Sequence, residues 1–279
     1  MSFLTDSSLL GGFIRRPYFH ARRLIVEHNY RVIAWLRMRH GFTKRYREKQ
    51  VRAFGVDYRV PDVASFLSML DEIYADGIYE FISGSNAPVI VDIGANIGVS
   101  VNYFLARFPG ASIYAYEADP AIFDCLKHNV TVCNDHVELN NQAVWHENTS
   151  LQFTQEGADG GRLSKSGGID VPAVDIRKIL EGRQIDLLKI DIEGAEEAVL
   201  LACDGLLDNV ERIFLEYHSS PGKPQRLGEI VSLLSNAGFR LHLKTIHGSR
   251  TPFMLVELHA GFDMQLNIFA WREHAGIAS

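Results

Sequence analysis

Cysteine is nearly absent. The chain has three thiols in 279 residues, Cys125, Cys133 and Cys203. That is an odd number with no C-x-x-C spacing, so neither a disulfide framework nor a cysteine zinc site is expected. No apolar run approaches the ~20 residues that span a bilayer. The opening stretch MSFLTDSSLLGGFIRR lacks the basic-then-apolar order of a secretory signal. Internal repeats and low-complexity linkers are missing too, and only GADGGRLSKSGG, residues 157–168, reads as a flexible loop. These absences predict a cytoplasmic globular protein with reduced thiols.

Its charge is unevenly spread. The net charge of -6 combines twelve Lys/Arg and three acids in residues 1–55 with a strongly acidic remainder. A basic arm on an acidic body suits an anionic membrane surface, a phosphorylated substrate, a second subunit in an oligomer, or docking on its own acidic domain. Residues 18–40 carry Leu24, Ile25, Trp35 and Leu36 among arginines at helical spacing, which predicts an amphipathic helix able to make peripheral membrane contact. Residues 63–81 show a second helical pattern, ended by the turn-forming SGSNAP.

From Pro88 the pattern changes to short apolar strands alternating with helical stretches. PVIVDIG, SIYAYEA, VELNNQAV, DLLKIDI and RIFLEYH read as strands, followed by FRLHLKTI and LNIFAWRE, with MLVEL a rival for the last. Such alternation builds a mostly parallel sheet with helices on both faces. Two units are therefore expected: a helical, basic extension over 1–87 and an α/β domain over 88–279.

The strand PVIVD runs into GANIGVS. A dinucleotide fingerprint needs glycine at 96 and 99, where Asn96 and Val99 stand, so a dehydrogenase is disfavoured. What stands is D-x-G-x-x-x-G, Asp92, Gly94 and Gly98, and about 20 residues later the next strand ends in Glu117. An acid at that place is positioned to accept ribose hydroxyls.

The ordered blocks VDIGANIGVSVNYF, YAYEADP, NNQAV, IDLLKIDIEGAE and IFLEYH resemble the FkbM family of S-adenosylmethionine-dependent methyltransferases over roughly residues 79–218. The resemblance implies a class I methyltransferase fold, Rossmann-like with a seven-stranded sheet. It implies S-adenosylmethionine as donor and methyl transfer to a hydroxyl of a saccharide, with a polyketide or peptide natural product or, less favoured, nucleic acid as alternatives. Asp92, Gly94, Ala95, Asn96 and Gly98 would then line the methionine end of the donor, Glu117 would hold its ribose, and Gln142 and Ala143 would lie near the adenine. Where the family has E-P-x-P this chain has Glu117, Ala118, Asp119 and Pro120. Asp175, where a T-L-D run usually stands, reads as a helix cap. Tyr79 and Glu80 would belong to the acceptor pocket.

Methyl transfer to a hydroxyl needs collinear alignment and a proton acceptor. The ends of the fourth and fifth strands deliver Asp191 with Glu193, and Glu216 with His218, each pair two residues apart and on one face. His218 is the expected general base because its ordinary pKa near 6.5 suits the task. Asp191 is open between orienting that histidine, contacting the donor and holding a metal, and Glu193 between donor contact and support. No metal is assigned, although three carboxylates and an imidazole could hold a hard divalent ion such as Mg²⁺. Lys189 is expected to pair with Asp191, and the loop Ser219 to Pro224 to cover the acceptor. The N-P-P-Y motif of base methylation is missing, so nucleic acid is not an expected partner.

Overall fold

The computed structural model describes residues 20–130, 136–154, 162–163 and 168–273. Cys133 and most of the 157–168 loop lie outside them. The helix expected over 18–40 is two helices, α1 over 20–26 and α2 over His28–His40, separated by Glu27 with an extended backbone. Arg23 holds that break by pairing with Glu27 at 2.7 Å and reaching across to the carbonyl of Ala75. α2 buries Ile33 and Leu36 and leaves Trp35 and Met38 exposed.

An antiparallel hairpin follows, which a purely helical extension did not anticipate: β1, Lys49–Ala53, and β2, Val56–Val60. Its turn is Phe54-Gly55, both with positive φ, as a two-residue hairpin of the right twist requires. Alternation places Val51, Ala53, Tyr58 and Val60 inside. α3, Val63–Leu70, is capped by Asp62, whose side chain accepts from Ser65 N–H. It widens into one π-helical turn, Asp71–Ala75, and stops at Gly77, short of the expected end at residue 81. Ile33, Tyr58, Phe66 and Leu70 share one apolar cluster with Ile90, Phe104 and Phe214, so the segment before residue 88 is part of the main core.

Then come β3 (Val89–Ile93), α4 (Val99–Arg107), β4 (Ser112–Tyr116), α5 (Pro120–Asn129) and β5 (Val137–Asn140). The run VELNNQAV is broken after β5, because β6 (Ala143–Trp145) joins a second, four-stranded sheet with β7 (Thr149–Thr154), β8 (Arg162–Leu163) and β9 (Ile169–Asp175). Sequence reading missed that sheet. α6 (Ile176–Leu180) starts on Asp175, which caps it through Arg177 N–H. β10 (Leu187–Ile190), α7 (Glu196–Leu201), β11 (Arg212–Ser219), α8 (Leu227–Asn236), β12 (Arg240–Gly248) and β13 (Met264–Trp271) complete the chain, and 254–258 forms no strand.

The main sheet has the order β12-β13-β11-β10-β3-β4-β5. β13 runs antiparallel to both neighbours, and the pairs from β11 through β5 are parallel. This is the class I methyltransferase arrangement. After β3 the chain steps outward through β4 and β5, then returns to the other side of β3 at β10, which opens a crevice above the carboxyl ends of β3 and β10. Within the basic arm, Arg23, Arg37, Arg45 and Arg52 pair with Asp76, Asp71, Asp62 and Asp57, so much of its charge is met by acids before residue 77. Among the described residues no helix is long and apolar enough to cross a membrane.

Candidate active site

A cavity of about 650 Å³ lies above the carboxyl ends of β3, β4 and β10. At one end the turn after β3 folds under Tyr116, whose carbonyl accepts from Gly94 and Ala95 N–H at 2.9 and 3.0 Å. Gly94 has φ +84, and a Cβ there would lie 1.8 Å from the carbonyl oxygen of Asp191. Only glycine lets the two strand ends approach so closely. Asn96, also at positive φ, donates its N–H to one oxygen of Glu117 at 3.0 Å, and Asp119 N–H donates to the other at 2.8 Å. The Glu117 carboxylate is therefore fixed. Burial pushes its pKa up to about 7 against those two N–H groups.

Gly94, Ala95, Asn96, Glu117, Gln142 and Ala143 all face this end of the cavity. Asp92 and Gly98, expected beside them, do not. Gly98 starts α4 in the left-handed region, and a Cβ there would strike Leu126 at 2.7 Å, so it serves packing. Asp92 is fully buried behind the wall, where it accepts from Ser100 Oγ at 2.6 Å and pairs with Lys189 Nζ at 3.0 Å.

Lys189 stands opposite Asp92 in the parallel β3–β10 register and is 2% exposed. Besides Asp92 its ammonium donates to the carbonyl of Gly94 at 2.7 Å, and it lies 3.8 Å from Asp191. The expected partner, Asp191, is thus the weaker one. Asp92's charge and the neighbouring acids outweigh burial and keep Lys189 protonated, with a raised pKa.

Beyond Lys189 the cavity turns acidic. Asp191, Glu193 and Glu216 face it from the ends of β10 and β11, as expected. Glu193 has φ +54, a costly left-handed conformation for a residue with a side chain. Burial, with the charges of neighbouring carboxylates added, raises the pKa of both Asp191 and Glu193. Across the cavity stands Glu72, on the π-helical turn, where burial and the charges of Glu216 and Asp191 bring its pKa to about 7. π-helical turns are frequent at functional sites because they re-aim side chains. Glu72 went unrecognised in the sequence, since nothing local marks an acid that only the fold carries to the cavity.

His218 lies beneath this floor rather than in it, with its side chain fully buried. Nδ1 is 2.9 Å from Glu196, itself fully buried and held by the N–H of Gly194 at 2.8 Å. Burial opposes charging the ring, but the hydrogen bond to Glu196 and the close carboxylates of Glu216 and Glu193 outweigh it and pull the pKa up to about 11. A ring already protonated at neutral pH and closed from the cavity is not a general base, so that expectation is corrected. Glu196, the fourth carboxylate of the cluster, stood unremarked within IDLLKIDIEGAE.

Tyr79 lines the cavity as expected, its ring edge-on to Phe214 at 4.8 Å. Glu80 does not; it is exposed and points toward Arg107. Nor do residues 219–224 cover the cavity; that side is formed by Ile246, His259, Ala260 and Gln265.

The chain matches the Methyltransferase FkbM domain over residues 92–241, more than half its length. It is 28% identical over 212 residues to the methyltransferase sdnD of Sordaria araneosa, covering 60% of this chain and 80% of that protein. It is 25% identical over 230 residues to the 31-O-demethyl-FK506 methyltransferase FkbM of Streptomyces tacrolimicus, covering 67% and 85%. To the hexuronic acid methyltransferase AglP of Haloferax volcanii it is 20% identical over 221 residues, covering 76% and 90%. A glycine turn, a fixed strand-end acid and an acidic crevice at the switch of a class I sheet agree with these matches: the chain is a methyltransferase and belongs to the FkbM family.

Proposed function

We propose that the protein is an S-adenosylmethionine-dependent O-methyltransferase acting on a hydroxyl of a saccharide. The observation that carries this reading is the two-ended cavity, with a fixed carboxylate, Glu117, at one end and the group Asp191, Glu216 and Glu72 at the other. The residues present fit the donor. The volume lies within the range of small-molecule clefts, Glu117 retains lone pairs beyond its two backbone bonds, and Gly94 leaves the backbone open to close approach. S-adenosylmethionine, when bound, supplies a methyl group on a positively charged sulfur.

The chain's own residues do the rest. Glu117 holds ribose hydroxyls, with Gln142 and Ala143 beside the adenine. The carboxylates at the far end favour a cation and accept hydrogen bonds from acceptor hydroxyls. Glu72, with a pKa about 7, is matched to take a hydroxyl proton near neutrality, the role His218 cannot fill. The hexuronic acid named for one relative supports a sugar acceptor, and a polyketide-like acceptor is the alternative suggested by another. Buried free thiols at Cys125 and Cys203 suit a reducing compartment, and we place the protein in the cytoplasm.

Calorimetric titration with S-adenosylmethionine tests the donor, and an absence of binding removes the reading. Labelled-methyl transfer to a panel of hexuronosides, neutral glycosides and polyketide alcohols tests the acceptor. Transfer to the polyketides alone would replace the saccharide.

A further inference from the structure

We propose that Asp191, Glu193 and His218 form a binding site for one divalent transition-metal ion, of the Mn²⁺ or Fe²⁺ class, in the floor of the cavity. The site itself stands on geometry; its role in polarising the acceptor hydroxyl rests on the O-methyl transfer reading above.

One ligand atom from each of the three residues can be chosen so that all lie within 4.8 Å of one another. Acids crowded at a cavity do not alone make a metal site. The independent observation is His218 Nε2, which belongs to a fully buried side chain, is aimed into the carboxylates and has no hydrogen-bond partner among the described residues. Its neighbours are Glu216 Oε1 at 3.5 Å and Glu193 Oε2 at 3.6 Å. That is too long for a hydrogen bond, yet it is the separation of two donors each about 2.1 Å from a common ion and about 115° apart.

The other ring nitrogen fits as well. Metal-bound histidines regularly donate their second N–H to a carboxylate, which fixes the tautomer and the ring plane. Here Nδ1 lies 2.9 Å from Glu196, whose oxygens are in turn held by Ile192 and Gly194 N–H. Phe262 closes the other side of the ring at 4.6 Å. The support behind His218 is thus in place for a coordinating Nε2.

The donor set selects the ion. One imidazole with carboxylate oxygens favours Mn²⁺ or Fe²⁺ over Ca²⁺, which prefers oxygen alone. Lys189 does not fill the position, because its ammonium is committed to Asp92 and Gly94. Asp191 and Glu193 open onto the cavity, so an ion enters from there and keeps coordination positions for water or an acceptor hydroxyl. Coordination replaces the proton on His218 Nε2 and leaves Nδ1–H donating to Glu196. In its role the ion would lower the pKa of a bound hydroxyl as a Lewis acid.

Mn²⁺ is the probe, added to the full chain stripped with chelator, with neither donor nor acceptor present, so that failure of the methyl-transfer reading leaves the result readable. Expected are loss of the free Mn²⁺ paramagnetic signal at one equivalent and electron spin echo modulation from a directly bound nitrogen. Glu193→Gln, on the cavity side, is expected to weaken binding at least 10-fold with the fold retained. Glu196→Gln should weaken it about 10-fold to 100-fold, and His218→Gln should remove the nitrogen modulation. No binding at 1 mM Mn²⁺, or binding unchanged by Glu193→Gln and without nitrogen modulation in the unaltered chain, overturns the proposal.

Discussion

Lys189→Met removes a buried cation while preserving much of the side-chain volume. Lys189 is 2% exposed and Asp92 is fully buried, and their charged atoms stand 3.0 Å apart. With the ammonium gone, Asp92 keeps Ser100 as its one donor among the described residues, and the Gly94 carbonyl loses its 2.7 Å bond. Removing one partner of such a pair leaves an uncompensated buried charge, at about 3–5 kcal/mol. In urea, with a slope of about 3 kcal/mol/M, the midpoint should fall by more than about 1 M at unchanged slope. Trp145 and Trp271 report the transition by fluorescence. Asp92→Asn alone should cost a similar amount, because it strands the lysine. The double variant, with neither charge, should cost less than the two singles combined by at least about 2 kcal/mol. Singles below about 1 kcal/mol, or costs that merely add, would refute the view that this pair locks β3 to β10.

Gly94→Ala combines left-handed strain of about 1–2 kcal/mol with a contact on the Asp191 carbonyl, and should abolish donor binding by calorimetry; unchanged affinity would show that the turn is not sterically fixed. Glu72→Gln should lower kcat by about 10²-fold to 10⁴-fold with donor affinity retained, and an unchanged kcat removes Glu72 as the proton acceptor. Stability should fall as pH rises from about 5 to 9. Folding raises His218 from 6.5 to about 11, a stabilisation complete below pH 6.5 and lost on approach to 11. It also raises Glu72 and Glu117 from 4.5 to about 7, so their ionisation above 4.5 costs the folded state and acts in the same direction. A melting temperature higher at pH 8.5 than at 5.5 contradicts this, and His218→Gln should flatten the slope.

The glycine-turn end of the cavity was legible because backbone geometry writes itself into composition. Gly94 and Glu117 occupy places where only glycine fits and where a strand-end acid is captured by neighbouring N–H groups. Asp191, Glu193 and Glu216 followed from alternation along β10 and β11, which fixes the face of a side chain. Alternation does not reveal what stands across the sheet. It put Lys189 on the face of Asp191, but the β3–β10 register sets it against Asp92. Glu72 was illegible for the same reason on a larger scale, because its place depends on the packing of residues 28–81 against the sheet. The hairpin was present as alternation around Phe54-Gly55, and arginine-rich composition masked it.

The commitment of Lys189 to Asp92 decides the charge of the crevice. Paired wholly with Asp191, it would have neutralised the carboxylate nearest the glycine turn after β3. Held 3.0 Å from Asp92 behind the wall and 3.8 Å from Asp191, it divides its charge between them, and Glu193 and Glu196 face the His218 ring instead. Burial first, and then the charges of neighbouring carboxylates, raise Asp191 and Glu193 against the pull of Lys189 and the His218 ring. That unmet negative charge attracts a cation into the cavity. On the donor proposed above, the sulfonium would carry one and lose it on methyl transfer, so carboxylates that favour the donor would grip the neutral thioether product less. The buried lysine meets only part of the charge on Asp191, because Asp92 takes the closer contact.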